Sequence, residues 1–245
     1  MSFAKHQIKR HIQKHDDHTF KRFFQRTISA QLHLIGFFAG LIGLVVLCSA
    51  ARHHADVRHF WACLAFGFTS LGVFGTSTVY HFMSDGYKIS KKFDDWLNDL
   101  DHFAIYLFIA GTYTPFIFNV IAPPWDTYLL IMIWSIAIFG IAYTYFHPKL
   151  PKLMQHRYVS TLIYVLMGWT LIVRAPETFA KATVECGELL VAGGLSYTFG
   201  AVIYAIKKPN PFPGWFGYHE IWHIAVMMGF AFHYFMILSF YRSFL

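Results

Sequence analysis

The sequence predicts an all-α membrane protein: a seven-transmembrane helix bundle with its N-terminus cytoplasmic and its C-terminus outside. Composition is the first observation. Of 245 residues, 56% are hydrophobic, 20% aromatic and only 13% charged, whereas soluble chains carry about a quarter charged residues. Distribution is the second. Charges fall in short blocks between apolar runs, and about 20 helical residues cross the roughly 30 Å of hydrocarbon in a bilayer. The third is an asymmetry of lysine and arginine between alternate connections.

The runs lie at about Ile28–Ala50, His59–His81, Leu100–Ile121, Thr127–Phe146, Tyr158–Val173, Gly187–Ile206 and His219–Tyr241. The fifth is short by itself, and a start nearer Leu153 would lengthen it. A soluble helical protein would need polar faces that most of these runs lack. A membrane barrel would need alternating polar and apolar residues, which are absent. Gly36 and Gly40, Gly72 and Gly75, and Gly193, Gly194 and Gly200 are expected to serve close helix packing. Pro115 is expected to kink the third helix. Trp61, Trp125 and Trp215, near run ends, fit interfacial aromatic belts.

Of the twenty lysines and arginines, fifteen fall in the N-terminal segment and the even-numbered connections and five in the odd-numbered ones and the tail. Cationic loops stay in the cytoplasm, so the first 27 residues read as a basic cytoplasmic segment and residues 28–245 as the transmembrane domain. The net charge of +7 is then largely a topology signal. Attraction to anionic lipid headgroups accounts for the basic N-terminus, and no nucleic-acid partner is expected. Phe20, Phe23 and Phe24 beside those charges suggest a short interfacial helix. No cleavable signal peptide is expected ahead of the first run. Cys48, Cys63 and Cys186 have no metal-type spacing and read as free thiols, although Cys48 and Cys63 flank one loop and could pair.

Chemistry is expected where ionisable residues sit at helix ends, because polar groups in a membrane are costly. His219 and His223 are spaced i, i+4, so they share a helix face and can share a metal. Ser77 and His81 have the same spacing at the end of the second run, and Asp101 opens the third. In the derived topology these three ends are all cytoplasmic. Three histidines with an oxygen ligand suit Zn²⁺, leaving a position open for water. His219–His223 also spells HExxH, in which a zinc protease uses the glutamate as base. No Asp or Glu follows Glu220, and His233 lies about 15 Å further along the same helix, so a protease would need its third ligand from upstream. Glu220 is expected to point away from the metal, towards the loop or the headgroups. His102 reads as a neighbour of the site or an interfacial residue. His53, His54 and His59 read as outer-interface residues, and His33, His147 and His156 have no partner at a ligand spacing.

These segments together resemble a known family. Ser77-Thr78-Val79-Tyr80-His81, Leu100-Asp101-His102 and His219-Glu220-Ile221-Trp222-His223 are similar to motifs of the progestin and adipoQ receptor (PAQR) superfamily. The run Ala110-Gly111-Thr112-Tyr113-Thr114-Pro115 and the short loops are most like its bacterial hemolysin III branch. The resemblance covers all seven runs, with a short insertion before Asp101 relative to the animal receptors. It implies zinc held by His81, His219 and His223, Asp101 holding the metal's water, and Ser77 beside the metal. It further implies location in the bacterial inner membrane and membrane lipids as substrates or ligands, because related proteins are similar to zinc-dependent lipid amidases such as the alkaline ceramidases. Asp101 would then orient the water and accept its proton, and Ser77 would hydrogen-bond the developing oxyanion.

Two classes of function stand at this point. One is a zinc-dependent lipid amide hydrolase, ceramidase-like, or a membrane lipid homeostasis protein. The other is non-enzymatic: a hemolysin-like channel, or a membrane-state regulator or receptor with structural zinc. A polar path through the bundle would favour the channel, a lipid-sized cavity open to the bilayer beside the metal the hydrolase, and an occluded metal the regulator. The sequence holds no signal for oligomeric state.

Overall fold

The computed structural model describes residues 28–87, 89–155 and 157–244. The expectations for residues 1–27, including the interfacial helix and histidines 6, 11, 15 and 18, and those for Lys88 and His156, fall outside these residues. Helices are α1 (Ile28–Ala51), α2 (Arg58–Gly86), α3 (Lys91–Val120), α4 (Trp125–Phe146), α5 (Arg157–Gly168), α6 (Ala175–Lys181), α7 (Val184–Ile206) and α8 (Tyr218–Ser239). Seven spans are long and apolar enough to cross a membrane, the fifth being α5, a 3₁₀ turn at Thr170–Arg174 and α6 together. Their outward faces are apolar: Ile35, Phe38, Ile42 and Val45 on α1 and Ile131, Ile138 and Phe139 on α4 are all exposed. In water such continuous apolar surface would drive association; in a bilayer it meets lipid. Several hydroxyls within the spans bond back to carbonyls of the preceding turn, as those of Thr69, Thr76, Thr112 and Thr114 do, which satisfies these donors inside their own helices.

α3 is the central helix, with 61% of its most apolar stretch buried against 22% for the fifth and sixth spans. It packs mainly between α2 and α4, while α7 and α8 form the other close pair. Missing side chains permit these approaches. A Cβ on Gly36 would lie 2.8 Å from the Phe74 ring and one on Gly40 3.3 Å from Ser70 Oγ, so the GxxxG face of α1 lies on α2. Gly193 and Gly200 likewise face His233 and Ala225 across the α7–α8 contact. Gly72 and Gly194 differ from expectation: a Cβ on either would meet nothing within 4 Å.

Four phenylalanines lock α2, α3 and α8 in register. Phe66 and Phe74 stand 5.7 and 5.2 Å from Phe230, ring centre to ring centre, and Phe108 closes the cluster 6.4 and 6.2 Å from Phe66 and Phe74. Aromatic pairs at this separation contribute beyond the area they bury. The cluster fixes the relative depth of the polar residues one to three turns away on the same helices.

Three boundaries depart from the sequence reading. α3 begins ten residues before Asp101, where Ser90 accepts from the Phe93 N–H as an N-cap. Its charged first turns, with Lys91, Lys92, Asp94 and Asp95, were excluded by the apolar-run criterion. α2 continues past His81 to Gly86. The fifth span starts at Arg157 rather than Leu153, and gains its length at the other end, through Lys181. Within the break Pro176 has no N–H for the Ile172 carbonyl, and the Ala175 N–H takes that carbonyl in a tighter turn. Arg174 and Lys181, expected in a loop, lie in this segment and pair with Glu177. α3 remains one helix through Pro115. Cys48, Cys63 and Cys186 are free thiols.

Candidate metal centre

The start of α1, the end of α2, the early part of α3 and the start of α8 share one end of the bundle, and this brings together residues remote in sequence. His81 Nε2 lies 3.2 Å from His219 Nε2, and His223 Nε2 lies 3.0 Å from the same atom. One nitrogen from each ring falls within 4.8 Å of the others, so the three could hold a metal ion. His81 and His223 are buried.

The donor set fits a metal. Three neutral imidazoles converging on one point present lone pairs that repel unless a proton or cation lies among them. Tetrahedral coordination at about 2.0–2.1 Å places ligand nitrogens about 3.3–3.4 Å apart, close to the two separations here. In this metal-binding form the proton of His223 sits on Nδ1, which is 2.6 Å from Nε2 of the buried His33 on α1. Fixing the second ring nitrogen of a ligand sets its tautomer and orientation. In the sequence His33 has no partner at a ligand spacing, because that partner lies 190 positions away.

Ser77 is buried one turn before His81, and its hydroxyl faces the Asp101 carboxyl without completing a direct hydrogen bond. Asp101 is half-buried on α3. Its neighbour His102 turns Nδ1 to the Asn98 carbonyl at 2.7 Å, so that nitrogen is committed to its own helix.

Glu220 turns away from the three histidines, towards the loop residue Gly217 and not the headgroups, and its carboxylate is buried. One carboxylate oxygen accepts from the Gly217 N–H at 2.8 Å, capping α8, and the other accepts from Ser29 Oγ at 2.8 Å. The glutamate of HExxH therefore fastens α8 to α1. A protease base would have to reach the metal's water, and these two bonds hold the carboxylate elsewhere.

All five expected site residues line one cavity of about 620 Å³, within the range of sites for small organic ligands. Its walls are largely apolar, from Val73, Ile105, Phe108, Ile109, Val165 and Val226. A second cavity of about 130 Å³ shares Tyr113, Gly168, Trp169, Gly194 and His233 with the first. It reaches the exposed Ile172, Phe179 and Val191 on the outer surface of the fifth and sixth spans. Gly194 thus keeps space open instead of closing a helix contact. At the break in the fifth span, Tyr113 OH donates to the Gly168 carbonyl at 2.6 Å and accepts from the Leu171 N–H, while Trp169 Nε1 donates to Thr198 Oγ1 at 3.0 Å.

At the opposite end of the bundle a separate polar group surrounds Tyr241, whose hydroxyl meets His59 Nδ1 at 3.0 Å and accepts from Asn119 at 2.9 Å. In the adjoining loop the Arg58 guanidinium holds the Asp56 carboxyl down to about 2.

Comparison with known proteins gives a consistent result. The sequence pattern of the family described as "Haemolysin-III related" matches residues 22–234. The chain is 33% identical over 210 residues to "Hemolysin-3 homolog" of Bacillus subtilis, covering 86% of this chain and 91% of that one. It is 34% identical over 212 residues to "Hemolysin-3" of Bacillus cereus, covering 86% and 89%. It is also 28% identical over 179 residues to the human "Monocyte to macrophage differentiation factor", covering 73% and 70%.

Proposed function

The chain belongs to the haemolysin-III related family of integral membrane proteins, and from that premise we propose that it is a zinc-dependent hydrolase of lipid amides, acting at the cytoplasmic face of a bacterial inner membrane. The observation that carries the reading is the opening of one largely apolar cavity, about 620 Å³ in volume, onto His81, His219, His223, Asp101 and Ser77 together. A metal that only stapled helices would need no such space. The sidedness follows from the lysine and arginine asymmetry, which puts the histidine end inside.

His81, His219 and His223 would hold the zinc, the metal suited to three imidazoles with a position left open. When bound, it would lower the pKa of water towards about 7 and polarise a carbonyl. The remaining work belongs to the chain. Asp101 accepts a proton from the attacking water as its oxygen bonds to the amide carbon, then returns that proton to the nitrogen as the C–N bond breaks. The products are a fatty acid and an amine. Ser77, whose hydroxyl has no direct hydrogen-bond partner among the described residues, donates to the developing oxyanion. His33 holds the His223 ring, and the apolar wall takes the acyl chain. The second cavity supports passage of that chain from the bilayer, since it reaches lipid-facing side chains.

The test is metal content of the detergent-purified protein by elemental mass spectrometry, beside a His219→Ala/His223→Ala variant. About one zinc per chain, lost in the variant, followed by turnover of ceramide-like amides, is the expected result. Absence of zinc after reconstitution would remove the mechanism.

A further inference from the structure

His233 plays no part in the mechanism above, yet α7 is shaped around it. Its imidazole is buried, and Nε2 lies 3.2 Å from the Leu190 carbonyl of α7. A carbonyl only accepts, so Nε2 carries the proton and Nδ1 presents a bare lone pair. That Nδ1 has no hydrogen-bond partner among the described residues. The ring fits because Gly193 has no side chain: a Cβ there would lie 2.3 Å from Nε2. His233 lines both cavities. Tyr197, with its ring centre 5.4 Å from that of His233, lines the larger one, and its buried hydroxyl is also unpartnered.

A buried acceptor without a donor costs free energy, and native interiors rarely leave one unmatched. The largely apolar cavity thus has an unmatched acceptor remote from the histidine cluster, ten residues from His223 along α8, or about 15 Å. We propose that this station recognises a hydroxyl group on the acyl chain of the bound lipid, far from its polar end, with His233 Nδ1 accepting from that hydroxyl and the Tyr197 hydroxyl available as its second partner. The preferred ligand class is then hydroxylated acyl lipids. An unsubstituted chain would leave the lone pair unmatched. This inference rests on the reading of the cavity as an acyl-lipid site and is independent of whether the lipid is hydrolysed.

The experiment measures binding of ricinoleate, which has a mid-chain hydroxyl, and of oleate, which lacks it, to zinc-loaded protein in detergent. The wild type and the variants His233→Phe and Tyr197→Phe are compared. Ricinoleate is expected to bind about tenfold tighter to the wild type, the effect of one buried hydrogen bond. His233→Phe should abolish that preference, bringing the ratio of the two affinities to about one, and Tyr197→Phe should reduce it. Equal binding of the two acids by the wild type overturns the proposal without a variant that must fold. Retention of the preference by His233→Phe overturns it as well. Failure of the wild type to bind either acid overturns this inference together with the lipid reading of the cavity, whereas binding without amide turnover removes only the hydrolase.

Discussion

Nδ1 of His223 on α8 and Nε2 of His33 on α1 stand 2.6 Å apart, joining the first span to the last beside the three histidines that could hold a metal. Outer partners of ligating histidines commonly account for 10–100-fold in metal affinity. His33→Phe is therefore expected to weaken zinc binding by about that factor while the protein remains folded. Competition with a chelator of known affinity measures it. An unchanged affinity would assign the contact to packing alone.

Asp101 is expected to matter for turnover and not for the metal. Asp101→Asn keeps the side-chain shape but is a poor proton acceptor, and positioned acid–base groups contribute about 10²–10⁴-fold. Hydrolysis of a lipid amide should fall by that much while zinc content stays near the wild-type level. Full activity in this variant would show that the proton goes elsewhere.

The buried carboxylate of Glu220 accepts hydrogen bonds from the Gly217 N–H and from Ser29 Oγ. Bonds to charged groups are worth about 1.5–3 kcal/mol each. Glu220→Ala should lower stability by about 3 kcal/mol, and Ser29→Ala by less. Unfolding of the single and double variants in one detergent gives their coupling, expected near 1–2 kcal/mol. Additive losses would mean that Ser29 and Glu220 do not act as a pair.

Two glycines within neighbouring spans should respond in opposite ways. A Cβ on Gly111 would fall 2.0 Å from Thr69 Oγ1, whereas one on Gly72 would meet open space. Gly111→Ala is expected to destabilise by about 1–3 kcal/mol through overpacking. Gly72→Ala should be neutral or stabilise by up to about 1 kcal/mol through helix propensity. Thermal unfolding of the two variants side by side decides this.

The seven spans were legible because a bilayer imposes one length and one composition on whatever crosses it. Spacing joined His219 to His223, and the alternating direction of the spans joined that pair to His81 and Asp101. What spacing could not convey was contact between distant helices: His33 and Ser29 lie about 190 positions from their partners. The early start of α3 has a local signal, Ser90 as an N-cap with Asp94 in the first turn. Apolar length is not helix length where charged turns at a membrane edge extend the helix beyond the apolar run. In the fifth span Pro176 interrupts the regular hydrogen bonds without ending the crossing.

That fifth span packs more sparsely than the paired helices around it and is tied in by Tyr113 and Trp169 at its break. Segments with few buried contacts open independently of the global unfolding reaction. The amides of 157–181 should therefore exchange with solvent deuterium ahead of those of α2, α3 and α8. One side of the cavity can then yield while the three helices bearing the histidines and Asp101 keep their register, so that compliance and fixity fall to different parts of the chain.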